Sequence, residues 1–195
     1  LELFTAPSEI RLFTSASKLI MSKKDVHLVL GGCRSGKSRH ALELADEASG
    51  RVNIFVATCV PRDEEMKARV LRHQQERNRK WATVEAPLAL PGAIREHSAD
   101  ADVILVDCLT LWISNLMDRH ENEEPVMEQV KALSRALDGT QCPVFLVSNE
   151  VGAGVVPENA MARRFRDLAG FANQHIASWA DRVTWMVAGI PVNIR

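Results

Sequence analysis

Apolar and polar positions follow two periods along this chain. Short runs rich in β-branched residues stand at 26–30 (VHLVL), 52–57 (VNIFVA), 103–107 (VILVD) and 143–148 (PVFLVS), and they predict strands buried in a sheet. A last run at 183–187 (VTWMV), followed by Gly189 and IPVNI, predicts a terminal hairpin. Between these runs the spacing of apolar residues lengthens to that of a helix. Ala41, Leu44, Ala45 and Ala48 mark one stripe, closed by Gly50. Val126, Val130, Leu133 and Leu137 mark a second, and Met161, Phe165, Leu168, Ala172 and Ile176 a third. Strands separated by helices need crossover connections, so the pattern predicts parallel βαβ units in an α/β fold. The polar segment 118–125 (DRHENEEP) predicts a surface loop.

Composition narrows the class. The chain has 195 residues, 46% hydrophobic and 25% charged, which is enough for one domain with a substantial core. Net charge is −1, with 24 basic against 25 acidic residues, which argues against a nucleic-acid coat or a membrane-surface protein. No apolar run approaches the roughly 18 residues of a membrane span. Cys33, Cys59, Cys108 and Cys142 lie far apart and form no CxxC pair, so a zinc site or disulfide framework is not expected and a reduced, cytoplasmic chain is. Residues 1–24 carry no signal-peptide pattern, because Glu2, Glu9, Arg11 and Lys18 interrupt every apolar stretch. They are expected to be an N-terminal extension, disordered or extraneous, ahead of a single catalytic domain at 25–195. The alternative is an arm that packs on the domain or on a neighbouring subunit.

The strongest chemical signal follows the first strand. Gly31, four intervening residues and then Gly36-Lys37-Ser38 form a Walker A pattern. Glycines let the backbone curl so that successive N–H groups face phosphate oxygens, and the helix that begins near Ser38 adds the positive end of its dipole. Gly31, Gly32, Cys33, Arg34, Ser35, Gly36, Lys37 and Ser38 are thus the candidate nucleotide-binding residues. Lys37 would neutralise β- or γ-phosphate charge, and Ser38 would ligate Mg²⁺. Asp107 ends the buried run Val103–Val106, where a Walker B aspartate holds magnesium directly or through water. The predicted fold is therefore P-loop NTPase-like: a mostly parallel sheet flanked by helices, with a C-terminal antiparallel hairpin strand. No NKxD base-reading motif is present, which leaves a small kinase or a nucleotidyl transferase, with a non-catalytic nucleotide-binding module as the alternative.

If an α-phosphate is attacked covalently, a histidine is needed, and six are available: His27, His40, His73, His97, His120 and His175. His27 sits in the first strand, His40 on the helix after the phosphate loop and His175 in the long C-terminal helix. His97 and His120 lie in polar stretches. Met66, Val70 and His73 share one helical face, and Arg69, Arg72, Arg77, Arg79 and Lys80 surround His73. That setting attracts a triphosphate and favours neutral, nucleophilic imidazole. A histidine on such a face is nevertheless more often simply packed. Among other polar residues, Glu85 would share one face of an extended 81–85 with Thr83, where it is an ordinary exposed carboxylate or a contact to ribose or guanine. Arg163 is expected to pair with Asp167 at i,i+4. Trp112, Trp179 and Trp185 are expected in the core rather than as a stacking platform.

These segments together resemble one family. GGCRSGKSRHAL at 31–42, FVATC at 55–59, DEEMKARVLRHQQER at 63–77, WATVEAP at 81–87, VDCLTLWISNLM at 106–117 and VSNEVGAGVVPENAMARRFRDLAGFANQHIA at 147–177 are similar to the bifunctional adenosylcobinamide kinase/adenosylcobinamide-phosphate guanylyltransferases of cobalamin biosynthesis. The resemblance spans about Val26 to Ile194. It implies that a nucleoside triphosphate, GTP or alternatively ATP, phosphorylates the aminopropanol hydroxyl of adenosylcobinamide. GTP then guanylylates that phosphate through a covalent GMP–histidine, releasing pyrophosphate. It further implies that His73, in ARVLRHQQER, is the guanylylated residue, that Mg²⁺ assists, and that the chain forms a homo-oligomer whose partners are a corrinoid and a nucleotide rather than nucleic acid.

Overall fold

The computed structural model describes residues 25–61, 63–68, 71 and 80–195. The expectations for residues 1–24, and for His73 with Val70, Arg69, Arg72, Arg77 and Arg79, fall outside them. Seven strands form a single sheet: β1 (Asp25–Gly31), β2 (Asn53–Ala57), β3 (Trp81–Glu85), β4 (Val103–Asp107), β5 (Pro143–Asn149), β6 (Arg182–Val187) and β7 (Ile190–Asn193). Their order is β3-β2-β4-β5-β1-β6-β7. β1 to β6 run parallel, and only β7 runs antiparallel, to β6. Five helices are labelled here: α1 (Lys37–Glu47), α2 (Leu90–His97), α3 (Leu109–Met117), α4 (Glu124–Asp138) and α5 (Ala160–Trp179).

The central strands are apolar on both faces because helices cover both. Val29, Leu105, Phe145 and Val147 face α1, meeting Ala41 and Ala45. Val26, Leu28, Ile104, Val106, Val144 and Leu146 point the other way, into a larger core supplied by α2 to α5. A parallel sheet covered on both sides reads as continuous β-branched runs, which is how β1, β4 and β5 read.

Two helices and a strand were not legible as such. α2 opens on Leu90-Pro91-Gly92, and proline in a first turn is compatible with a helix although it looks like a loop signal. α3, LTLWISNLM, carries no clean period, because Leu111 and Met117 are apolar as well as Leu109, Trp112, Ile113 and Leu116, and none of its positions is exposed. β3 is an edge strand with three exposed positions, so it lacks the buried β-branched run of the central strands, and Thr83 and Glu85 lie on one face of it.

The tryptophan expectation needs correction. Trp112 is in the core and its Nε1 donates to the Leu88 carbonyl at 2.9 Å. Trp179 and Trp185 are 36% and 43% exposed, because one ends α5 and the other lies on the outer face of β6 beside the short β7.

Candidate nucleotide site

β1 delivers Gly31 to the carboxyl end of the sheet, and the chain curls through 32–36 into α1. Arg34 and Gly36 take left-handed φ values of 57° and 88°, which bends the loop back on itself. Ser35 N donates to the Gly32 carbonyl at 3.3 Å, and His40 N to the Gly36 carbonyl at 3.0 Å. Gly31 has no room for a side chain. A Cβ there would lie 2.4 Å from Ser35 Oγ and 3.0 Å from both Cβ and the carbonyl oxygen of Met186. The loop is therefore pressed against β6. The β6–β7 turn also braces it: Ala188 and Gly189 have φ of 51° and 84°, and Gly189 N donates to the Ser35 carbonyl at 3.1 Å. Positive φ at both turn residues is the pattern of a type I′ hairpin.

Inside the curl, Lys37 is buried and its Nζ donates to the Gly32 carbonyl at 3.1 Å. Ser35 Oγ is buried and has no hydrogen-bond partner. A Cβ on Gly31 would meet it, so the hydroxyl packs against the end of β1, where a partnerless group costs on the order of 1–3 kcal/mol. Ser38 is half-buried in the first turn of α1, and Cys33 and Arg34 are exposed at the rim. A hollow of about 340 Å³ lies beside the loop, lined by Gly32, Cys33, Arg34, Ser35, Glu150 and the 185–188 segment.

Asp107 ends β4, two strands from β1, or about 10 Å at the usual strand spacing. Its surroundings are tied down by residues the sequence reading did not single out. Thr58 Oγ1 donates to the Cys108 carbonyl at 2.7 Å and accepts from Cys108 N at 2.8 Å. Asn115 Nδ2 donates to the carbonyls of Thr58 and Pro87 at 2.8 and 3.0 Å. A threonine directly after the buried run of β2 was the available signal. Burial, and then the Asp107 carboxylate, push the Cys108 thiol up to about 12, while the Lys37 ammonium acts in the opposite direction.

Glu85 is exposed at the end of β3, in register with Ala57 and through it with Asp107. Four strand spacings separate it from β1, about 19 Å, so the fold does not bring it to the phosphate loop. Arg163 does not pair with Asp167. It donates to the Pro157 and Glu158 carbonyls, turning back over the start of its own helix, while Asp167 lies 3.8 Å from Arg166. Asn149 and Glu150 reach the same sheet edge as Gly31, and Glu150 N donates to the Gly31 carbonyl at 3.1 Å.

A phosphate curl between the first strand and first helix, with a carboxylate at the end of a nearby parallel strand, defines a P-loop nucleotide-binding protein of the α/β class. Residues 27–194 match the family described as cobinamide kinase / cobinamide phosphate guanyltransferase, and the chain belongs to that family. It is 42% identical to the bifunctional adenosylcobalamin biosynthesis protein CobP of Pseudomonas aeruginosa, over 86% of this chain and 96% of that protein. It is 41% identical to the bifunctional adenosylcobalamin biosynthesis protein CobU of Salmonella typhimurium, over 86% of this chain and 98% of that protein. The protein of that name from Escherichia coli is 38% identical over the same shares. A KaiC-like protein of Pyrococcus horikoshii superposes with a TM-score of 0.46 at 18% identity, covering 83% of this chain and 70% of that one. Among the described residues, no helix is long and apolar enough to cross a membrane.

Proposed function

We propose that this chain phosphorylates the aminopropanol hydroxyl of adenosylcobinamide and then transfers GMP from GTP to that phosphate, giving adenosylcobinamide-GDP and pyrophosphate. The observation that carries the nucleotide half is the curled loop itself, with Lys37 buried inside it and bonded to the Gly32 carbonyl. Family membership carries the acceptor half.

In the kinase step, Gly31 to Ser38 hold the phosphates through backbone N–H groups. Lys37 offsets the charge that grows on the oxygen bridging the β- and γ-phosphates as that bond breaks. The donor set also fits magnesium. Ser38 and Asp107 offer hard oxygen ligands, and among the described residues no cluster of three or more His, Cys, Asp or Glu forms a protein-only cage. Mg²⁺ bound there with the phosphates would supply charge neutralisation; Ser38 and Asp107 would hold it. Glu85, far along the sheet edge, suits only the end of a nucleotide remote from the cradle.

In the transferase step, His73 is the nucleophile. Its neutral imidazole nitrogen forms a bond to the α-phosphorus as pyrophosphate leaves; a phosphate oxygen of the corrinoid then displaces the imidazole. The sequence setting of His73 among arginines supports this assignment. We further propose cytoplasmic action, in keeping with four free cysteines. A homo-oligomer is proposed as well, supported by apolar side chains exposed along β6 and β7: Trp185, Val187, Ile190 and Val192.

The test uses GTP labelled at either phosphate. Label at the α-position should become attached to the protein through an acid-labile bond and be lost in His73→Ala. Label that persists in that variant removes His73 from the mechanism. Transfer of γ-label to the corrinoid without any protein adduct would mean a kinase alone, and binding without either product a non-catalytic module.

A further inference from the structure

A second hollow, of about 620 Å³, lies between the loop after β5 and one side of α5. We propose that it seats the corrin macrocycle of the acceptor; this rests on the function proposed above. The hollow adjoins the phosphate cradle. Glu150 lines both hollows, and Leu30, just before Gly31, lines the larger. A macrocycle there presents its hydroxyl-bearing arm to the nucleotide across Glu150. At about 620 Å³ the larger hollow falls within the range of sites for bulky ligands.

The lining suits such a ligand. A corrin has broad apolar faces and a rim of carboxamide arms. Phe171 and Val156, 51% and 61% exposed, offer apolar surface, and Gln174 offers an amide. Gly170 is the most telling residue. It sits inside a 20-residue helix, where glycine costs about 1 kcal/mol relative to alanine. A Cβ there would meet nothing within 4 Å, so packing within the chain does not call for glycine. Its effect is to leave a flat floor for something outside the chain. The floor is also rigid: Asn173 Oδ1 accepts from Ser148 Oγ at 2.7 Å, and its Nδ2 donates to the Asn149 carbonyl at 3.1 Å, pinning α5 to the end of β5. Arg166, at the edge, is placed to meet the phosphate made in the first step.

Equilibrium dialysis with cobinamide, read by corrin absorbance, tests the assignment on the full chain. Gly170→Leu should weaken cobinamide binding at least tenfold while GTP affinity and melting temperature stay within error of the parent protein. Phe171→Glu, at an exposed position, should do the same and answers alone if the first variant folds poorly. Parent-like cobinamide affinity in Phe171→Glu and in folded Gly170→Leu overturns the site. So does equal loss of GTP binding in folded variants, which would mean the two hollows are not separate. A parent protein that binds GTP but no cobinamide at all would instead sink the functional proposal on which this one stands.

Discussion

At the scale of single residues, the cradle depends on one ammonium. Lys37→Ala removes the charge facing the triphosphate and the bond to the Gly32 carbonyl. Triphosphate affinity should fall by at least tenfold, measured by titration with a fluorescent GTP analogue, with little change in melting temperature. A second residue links the sheet to pH. His27 is buried in β1, its Nε2 lies 2.8 Å from Thr184 Oγ1, and burial, with Arg182 and His40 nearby, lowers its pKa to about 4. Between about 6.5 and 4 the unfolded chain binds a proton that the folded chain refuses. Stability from this group is therefore complete above pH 6.5 and falls as pH drops through that window, by on the order of 2–3 kcal/mol. Urea melts at pH 7 and pH 4.5 should show that loss, and His27→Gln should flatten it.

Residue identity was also where sequence reasoning was most uneven. The loop 31–38 could be read because its chemistry is local: glycines, lysine and serine at fixed spacing act through their own backbone. Arg163 could not, since helical spacing matched it with Asp167 while the carbonyls of Pro157 and Glu158, at the helix entrance, lay nearer. The exposure of Trp185 depends on β7 being a short outer strand, which only the assembled sheet reveals.

Among elements, the tightest junction is that of β1, the phosphate loop and β6. Gly31→Ala would drive a methyl group into Ser35 Oγ and Met186. It should cost about 1–3 kcal/mol of stability and weaken nucleotide binding together. Gly32→Ala meets nothing within 4 Å and should leave the denaturation midpoint unchanged, so the pair separates crowding from loss of glycine as such. The junction of β2, β4 and α3 is held by polar bonds instead. Thr58→Val leaves the buried Cys108 N–H without its partner, while the Cys108 carbonyl keeps the Trp112 N–H at 3.2 Å, and should cost roughly 1–3 kcal/mol, read from chemical denaturation. Elements with a one-sided or doubly buried pattern were legible beforehand. α3 was not, because burial all round erases the stripe by which a helix is recognised, and α2 was masked by its opening proline and glycine.

For the molecule as a whole, the sheet has two unlike edges. β3 presents mostly polar positions to solvent, whereas β6 and β7 carry Trp185, Val187, Ile190 and Val192 at 41% exposure or more. An apolar outer strand is a pairing surface. Sedimentation should give a mass that is a multiple of 21.6 kDa, and Ile190→Lys combined with Val192→Lys should lower it; a monomer at micromolar concentration would dismiss the assembly. The topology follows from alternating strands and helices, but the position of β1 between β5 and β6 does not, since strand order is decided by long-range pairing.

One hydrogen bond joins these scales. Gly189, at the tip of the terminal hairpin, donates to Ser35 within the cradle. The tail of the chain thereby serves as a strut for the machinery at its head. Shortening the protein to end at Val187 would spare every residue of the Walker pattern and still loosen its grip, and the deuterium uptake of one amide, that of Gly189, becomes a gauge of whether the grip is closed.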